Sequence, residues 1–292
     1  SSHISLSSYY NFNVIAVNDA DGYGGGALLS DAGTQMRMVA GNINENSAGT
    51  AGGGVAAING ASFQAERGDN VPTLCRHSSC SSMISNEAAV GATVYAGSDA
   101  TVALSRTSVA GPSNAVGIDS SLVATGAGTT LTLDGALLTR LPAATTVLAD
   151  QGAVVNVDSS TISQNAGARD FLLNTADTGL TISNSIIWDP GVVAVDGPGV
   201  VNSSNNDSHD PATLPGINLD PGFVDPDHNI WRLRGDSINV DTYTPLSYTP
   251  GVDIEGNSRP YDLYPDHGGI FDRGAFELGD EIFGNGFEAI VD

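Results

Sequence analysis

Between residues 91 and 187 the chain repeats one pattern four times: a short apolar run, a turn of small polar residues, then a run in which apolar and polar positions alternate. Alternation with a period of two marks a half-buried strand, and nothing in this stretch carries the period of an amphipathic helix. The alternating runs are anchored by Val102 and Leu104, Leu131 and Leu133, Val155 and Val157, and Leu180 and Ile182. The first members of these pairs stand 29, 24 and 25 residues apart. A period of that length, built from strands and turns, predicts a solenoid in which no coil buries its inner face alone and stacked coils share one core.

The pattern reaches back toward the N-terminus. Met36 and Met38 follow Gly24-Gly-Gly26 as Phe63 and Ala65 follow Gly52-Gly-Gly54, with 27 residues from Met36 to Phe63. Phe63 to Val102 is 39 residues, so an insertion is expected there, at residues 73–86. Ile4 and Leu6 look like the alternating strand of an earlier coil, and Val193, Val195, Val200 and Val201 like parts of a later one. The expected fold is all-β: a right-handed parallel β-helix (a solenoid) of roughly seven to eight coils over residues 1–206, followed by an irregular C-terminal cap over 207–292. Within 207–292, Pro211, Pro221, Pro226 and Pro250 exclude a regular helix or a central strand. The aromatics Phe223, Trp231, Tyr243, Tyr248, Phe271 and Phe276 are expected to cover the open end of the core.

Composition sharpens this picture. Charged residues make up only 15% and aromatics 6%, while glycines number 36, which suits small-residue turns around an aliphatic interior. The net charge of −23 repels nucleic acid and anionic membrane surfaces alike, so neither is an expected partner. No apolar run is long enough for a membrane-spanning helix, so no membrane insertion is expected. All ten basic residues are arginine, which removes lysine as a general base or Schiff-base nucleophile. The chain begins already inside a strand-like pattern, and an uncovered first coil would expose an unpaired edge. A signal peptide, and a capping segment or further coils, are therefore expected upstream of Ser1. Cys75 and Cys80 sit in a polar loop and read most simply as a local disulfide formed in an oxidising compartment. The other reading, a metal site with His77, supplies three ligands where a closed zinc site takes four.

Several motifs resemble known proteins. Asn44-Glu-Asn46-Ser-Ala followed by Gly52-Gly-Gly54 resembles the repeats of polymorphic outer-membrane proteins. Leu219-Asp-Pro-Gly-Phe-Val-Asp-Pro, Trp231-Arg-Leu-Arg-Gly-Asp, Val252-Asp-Ile-Glu-Gly-Asn-Ser-Arg-Pro260 and Phe271-Asp-Arg-Gly-Ala-Phe-Glu277 resemble the closing segment of bacterial secreted right-handed β-helix proteins of the choice-of-anchor type. Asp280-Glu-Ile-Phe-Gly-Asn-Gly-Phe-Glu288 is similar to a short tail on exported proteins of some Gram-negative bacteria. The resemblance implies this fold and a secreted or cell-surface location in a Gram-negative bacterium. It does not imply one chemistry, because such proteins include adhesins and enzymes.

Three sets of residues carry candidate chemistry. Stacked coils place equivalent residues about 4.8 Å apart, so Asp134 and Asp158 fall side by side at one turn, with Arg106 one coil away. Paired carboxylates at about 5 Å suit a retaining glycosidase, and the arginine could hold a uronate. The plainer reading is that aspartate favours turns and the arginine neutralises the pair. Asp19 and Asp21, and Asp225 and Asp227, lie in oxygen-rich turns that could take Ca2+, although the downstream glutamate of a calcium loop is missing. Asp31, Asp99, Asp150 and Asp177 recur at the strand-to-strand turn, as an acidic stripe or simply a solvated turn face. The two Arg-Gly-Asp triplets, beginning at Arg67 and Arg234, have turn and packing roles that account for them without integrins. The complete motifs of β-helix pectinolytic enzymes are missing, and one of them requires lysine. The expected function is a non-catalytic exported scaffold for adhesion or for contact with a polysaccharide or cell-surface glycan. The alternative is a polysaccharide lyase or glycoside hydrolase acting on an extracellular glycan.

Overall fold

The computed structural model describes residues 3–7, 13–67, 81–112, 117–244, 251–262 and 269–279. Cys75 and Cys80, and the tail from 280 to 292, lie outside the described residues. Three parallel sheets run the length of the molecule, of eight, eight and seven strands. Each coil contributes one strand to each sheet in turn. A representative coil is Thr130–Asp134 in the first sheet, Leu137–Thr139 in the second and Thr145–Asp150 in the third. The chain is thus an all-β parallel solenoid. Counted by the six pairing steps of the third sheet it makes about six turns, slightly fewer than the repeat predicted. The difference arises at the ends, where partial coils had been counted as whole ones. Among the described residues no helix is long and apolar enough to cross a membrane.

The anchors of the repeat stack in the expected register. Val102 pairs with Leu131, Leu131 with Val155 and Val155 with Leu180; Leu104, Leu133, Val157 and Ile182 do the same two residues on. All eight are at most 2% exposed. Their alternation with Ala103, Thr132, Asn156 and Thr181 follows from the strand itself, which sends successive side chains to opposite faces. Burying each such side chain is worth about 1.5–3 kcal/mol. The end of the expected insertion belongs to a coil: Ser82–Ile84 pairs with Gly41–Asn44 and with Ser108–Ala110 in the second sheet.

The corners are held by polar ladders. Between the first and second sheets the chain turns on one residue in the left-handed region, at Ala40 and then, one coil being passed over at Arg67, at Arg106, Gly135, Ser159, Asn184 and Asn205. Just past this corner the Ser160 hydroxyl accepts the Ala136 N–H, the Ser185 hydroxyl accepts the Ser160 N–H, and Asn206 Oδ1 accepts the Ser185 N–H. After the second sheet a buried amide stack takes over. Asn46 Oδ1 accepts the Asn18 N–H at 3.1 Å, and Asn86 Oδ1 accepts the Asn46 N–H at 3.1 Å. A buried amide without partners would cost about 1–3 kcal/mol, so each rung is satisfied by the next coil. Gly53 sits at a close approach between coils: a Cβ there would lie 2.3 Å from the Glu87 carbonyl oxygen. The Asn46 and Gly52-Gly-Gly54 motif is therefore a corner rung followed by a close inter-coil contact.

The C-terminal segment does two separate things. Residues 207–217 finish the end of the solenoid: Leu214 joins the main core, and Thr213 and Asp210 side chains accept the Val195 and Ala194 N–H groups. The described residues between 219 and 278 then fold back along the flank. Phe223, Trp231, Leu233, Val240, Ile254 and Phe276 form a second apolar cluster against Leu137 and Ile186, which belong to second-sheet strands. The expectation that the aromatics close the core end is corrected at Phe223, Trp231 and Phe276. The end is closed by Leu214, and those aromatics cover the side.

Candidate functional site

The carboxylate pair lies at the last position of the first-sheet strands. There the register runs Glu66, Ser105, Asp134, Asp158, Ser183, Ser204 across six coils. Asp134 and Asp158 are direct neighbours, and Arg106 follows Ser105 at the left-handed corner, its N–H donating to the Asp134 carbonyl at 2.7 Å. The structure therefore brings together the three residues that the repeat spacing brought together. It also gives their side chains other employment. Asp158 Oδ1 accepts the Ser183 hydroxyl at 2.6 Å and Asn184 Nδ2 at 2.8 Å, and Oδ2 accepts the Ser159 hydroxyl at 3.2 Å. Asp134 Oδ2 accepts the Ser105 hydroxyl at 3.2 Å. Arg106 reaches across to the Val252 carbonyl on the flank segment.

Electrostatics distinguish this corner from an ordinary turn. Asp134 keeps an exposed surface, yet the packed flank behind it desolvates it enough to raise its pKa, and Asp158 adds to the rise. Ser105, Arg106 and Arg259 pull the other way. Tyr243 closes the corner: its hydroxyl is 3.2 Å from Ser159 Oγ, its ring stacks on Phe271 at 5.3 Å, and burial raises its pKa. Chemically the corner offers one carboxyl that takes a proton more readily than an ordinary aspartate, beside a second carboxylate holding three donors. An acid–base pair needs the first property and is hindered by the second.

A different place offers room. Between the outer face of the second sheet and the flank segment lies a cavity of about 990 Å³, with Ser108, Thr139, Arg140 and Gln164 on one wall and Arg232 and Glu255 on the other. Arg232 Nε donates to Glu255 Oε2 at 2.6 Å, and Arg140 donates to the Asp227 carbonyl at 2.6 Å. Neither Asp134 nor Asp158 lines this cavity. Nothing in the repeat pattern pointed to it, because its second wall depends on where an aperiodic segment docks.

The oxygen-rich turns are spoken for locally. Asp19 Oδ1 accepts the Ser47 hydroxyl at 2.5 Å, while Asp21 is exposed. Asp225 caps the short 3-10 turn Pro226–His228, accepting the His228 N–H, and pairs with the His228 ring at 2.8 Å. Asp227 Oδ1 accepts Gln164 Nε2 at 3.1 Å. Among the described residues no three His, Cys, Asp or Glu side chains converge on one point. On the acidic stripe, Asp31 and Asp99 hold left-handed turn positions and Asp150 accepts the Gln151 N–H. The Arg234 triplet is internally paired, Arg234 Nε to Asp236 Oδ1 at 3.2 Å.

The closing motifs form a buried ionic knot. Asp253 Oδ1 accepts the N–H groups of Glu255, Gly256 and Asn257, and Oδ2 accepts Asn257 Nδ2 and the Glu277 N–H. Asp272 accepts the Asp241 and Leu278 N–H groups, and Arg259 bridges Glu277 and the carbonyls of Asp272 and Gly274. Burial pushes Asp272 to about 7 and Glu277 to about 8. Asp253, Asp272, Arg259 and Glu277 hold the flank together and do not line the cavity described above.

No protein-family model matches the chain, and neither does any curated protein or solved structure.

Proposed function

We propose that the chain is an exported bacterial β-helix scaffold that contacts a polysaccharide or cell-surface glycan through its flank groove and performs no chemistry on it. The observation that carries this reading is the separation of the two sites. The groove that could seat a saccharide is lined by hydroxyls, two amides, two arginines and a glutamate, and the carboxylate pair lies outside it. Hydroxyl and amide donors beside charged groups are what a sugar's hydroxyl array pairs with. The pair's geometry instead serves the corner, where Asp158 ties three neighbouring side chains together. The strong negative charge favours a soluble chain over nucleic acid or an anionic membrane as surroundings.

The second reading, a polysaccharide lyase or glycoside hydrolase, draws on the raised pKa of Asp134 beside Asp158. One experiment separates them: a glycan array run alongside reducing-sugar and unsaturated-uronate release over many polysaccharides. The scaffold reading expects binding without release, at least tenfold weaker in Arg232→Ala and unchanged in Asp134→Asn. Release that disappears in Asp134→Asn or Asp158→Asn would establish the enzyme instead.

A further inference from the structure

Near the start of the third-sheet strands, three successive coils bury oxygen-bearing side chains at one position. Ser121 and Thr146 face each other between the paired Ser120–Thr145 and Leu122–Val147, and Asp170 occupies the same place on the next coil, between Thr145–Arg169 and Val147–Phe171. Ser121 is 1% exposed, and Thr146 and Asp170 are 0% exposed. Among the described residues the Ser121 and Thr146 hydroxyls have no hydrogen-bond partner, and neither Asp170 carboxyl oxygen has a donor other than a proton shared with Asp189. Among the described residues the carboxyl of Asp189, itself 3% exposed, is the group that acts on Asp170. Asp189 already accepts the Asn165 N–H and Asn165 Nδ2, each at 3.0 Å.

The neighbouring positive groups are committed elsewhere. Arg169 turns to Asp196 at 3.3 Å. His209 accepts the Asp189 N–H on Nδ1 and lies 2.8 Å from the Val192 carbonyl through Nε2. Two carboxyls and two hydroxyls are thus enclosed with His209, which acts on Asp189, as the nearest basic group, an arrangement that costs several kcal/mol unless something further compensates it. Burial, with Asp189 beside it, drives the Asp170 carboxyl well above the usual carboxylate range.

We propose that Asp170, Asp189 and Thr146 form a site for one divalent cation of the calcium type, reached through the flank cavity whose wall includes Asp189. That cavity has a volume of about 630 Å³ and is also lined by Asp220 and Asp225. A single proton shared by the two carboxyls would leave one Asp170 oxygen and the Thr146 hydroxyl without a partner. A cation takes oxygens from all three residues at once and completes its shell with water from the cavity. An all-oxygen set excludes the soft metals and suits a hard ion with flexible coordination. The site is separate from the surface turns, where the Asp19, Asp225 and Asp227 carboxylates serve local hydrogen bonds and Asp21 is exposed.

The test uses the full chain stripped with EDTA at pH 7. Terbium is titrated and its luminescence followed, sensitised by Trp188, which precedes Asp189 in the chain; thermal unfolding is measured with and without calcium. The expected result is one saturable terbium signal that calcium displaces, and a melting temperature raised by calcium. Both are lost in Asp170→Asn, and affinity falls at least tenfold in Thr146→Val, a change that preserves shape and so keeps the fold. Asp19→Asn keeps both responses. Identical responses in the wild type and Asp170→Asn would overturn the site. So would indifference to calcium in the wild type together with an acid stabilisation that Asp170→Asn removes, because that pattern belongs to a proton shared by Asp170 and Asp189.

Discussion

The coils and the flank segment solve one problem, burying a surface, by opposite means. The coils repeat. Each apolar rung rests on an equivalent rung one turn away, and the buried corner amides are satisfied by their counterparts, as Asn46 is by Asn86. The flank has no repeat to lean on. Its apolar cluster is small, and its chain path is set by side-chain charges that bind backbone groups, with Asp253 alone holding five donors. Periodic structure can spread its stabilisation over many similar contacts. Aperiodic structure concentrates it in a few groups, and so it titrates.

The contrast can be pressed at its strongest point first. Leu131→Ala removes a fully buried side chain from the middle of the stack and is expected to cost about 2–5 kcal/mol, read as a lower urea midpoint for the whole chain. Asp253→Ala strands its five donors and is expected to cost about 1–3 kcal/mol, with hydrogen exchange quickened across residues 251–278 and unchanged in the first-sheet strands. If that variant opens the coils as well, the two regions are one cooperative unit and the comparison fails.

The next test is pH. Asp272 and Glu277 bind protons in the folded state at about 7 and about 8, whereas an unfolded carboxyl releases its proton near 4. Between these values the native state holds more protons than the unfolded one. The contribution is therefore complete below about pH 4 and is lost as pH rises through about 7 to 8. The melting temperature should fall by several degrees from pH 5 to pH 8.5, and Glu277→Gln should flatten the slope. The smallest effect belongs to the solvent. The Arg169–Asp196 pair is 32% and 51% exposed, so Arg169→Ala should change stability by only about 0–1 kcal/mol in the same urea titration.

The sequence made the first sheet readable because its strands are five residues long and alternate cleanly, as in Thr130–Asp134. The register of Asp134 on Asp158 followed from that alone. The second sheet was hidden, since strands such as Leu137–Thr139 and Thr161–Ser163 are too short to show a period. Asn46 and Asn86 were likewise ambiguous. A buried asparagine rung and a turn asparagine look alike until a neighbour one coil away is placed. The groove could not be seen at all, because Arg232 and Glu255 meet Arg140 only through the docking of a segment without repeats.

The flank segment grips many coils at once. Arg67 donates to the Glu255 carbonyl, Arg106 to that of Val252, the Ala275 N–H to Thr161 Oγ1, the Gly274 N–H to the Asn184 carbonyl, and Arg273 to the Asn205 carbonyl. A bare stack of coils pulled from one end can peel turn by turn, each step resisted only by the next interface. Splinted along its side, this stack has to shed the splint before a turn can leave, so the resisting force is shared by several coils. The splint is also a gauge: a coil gained or lost between Arg67 and Asn205 would shift every grip point beyond it by about 4.8 Å, which ties the length of the solenoid to the length of its strap.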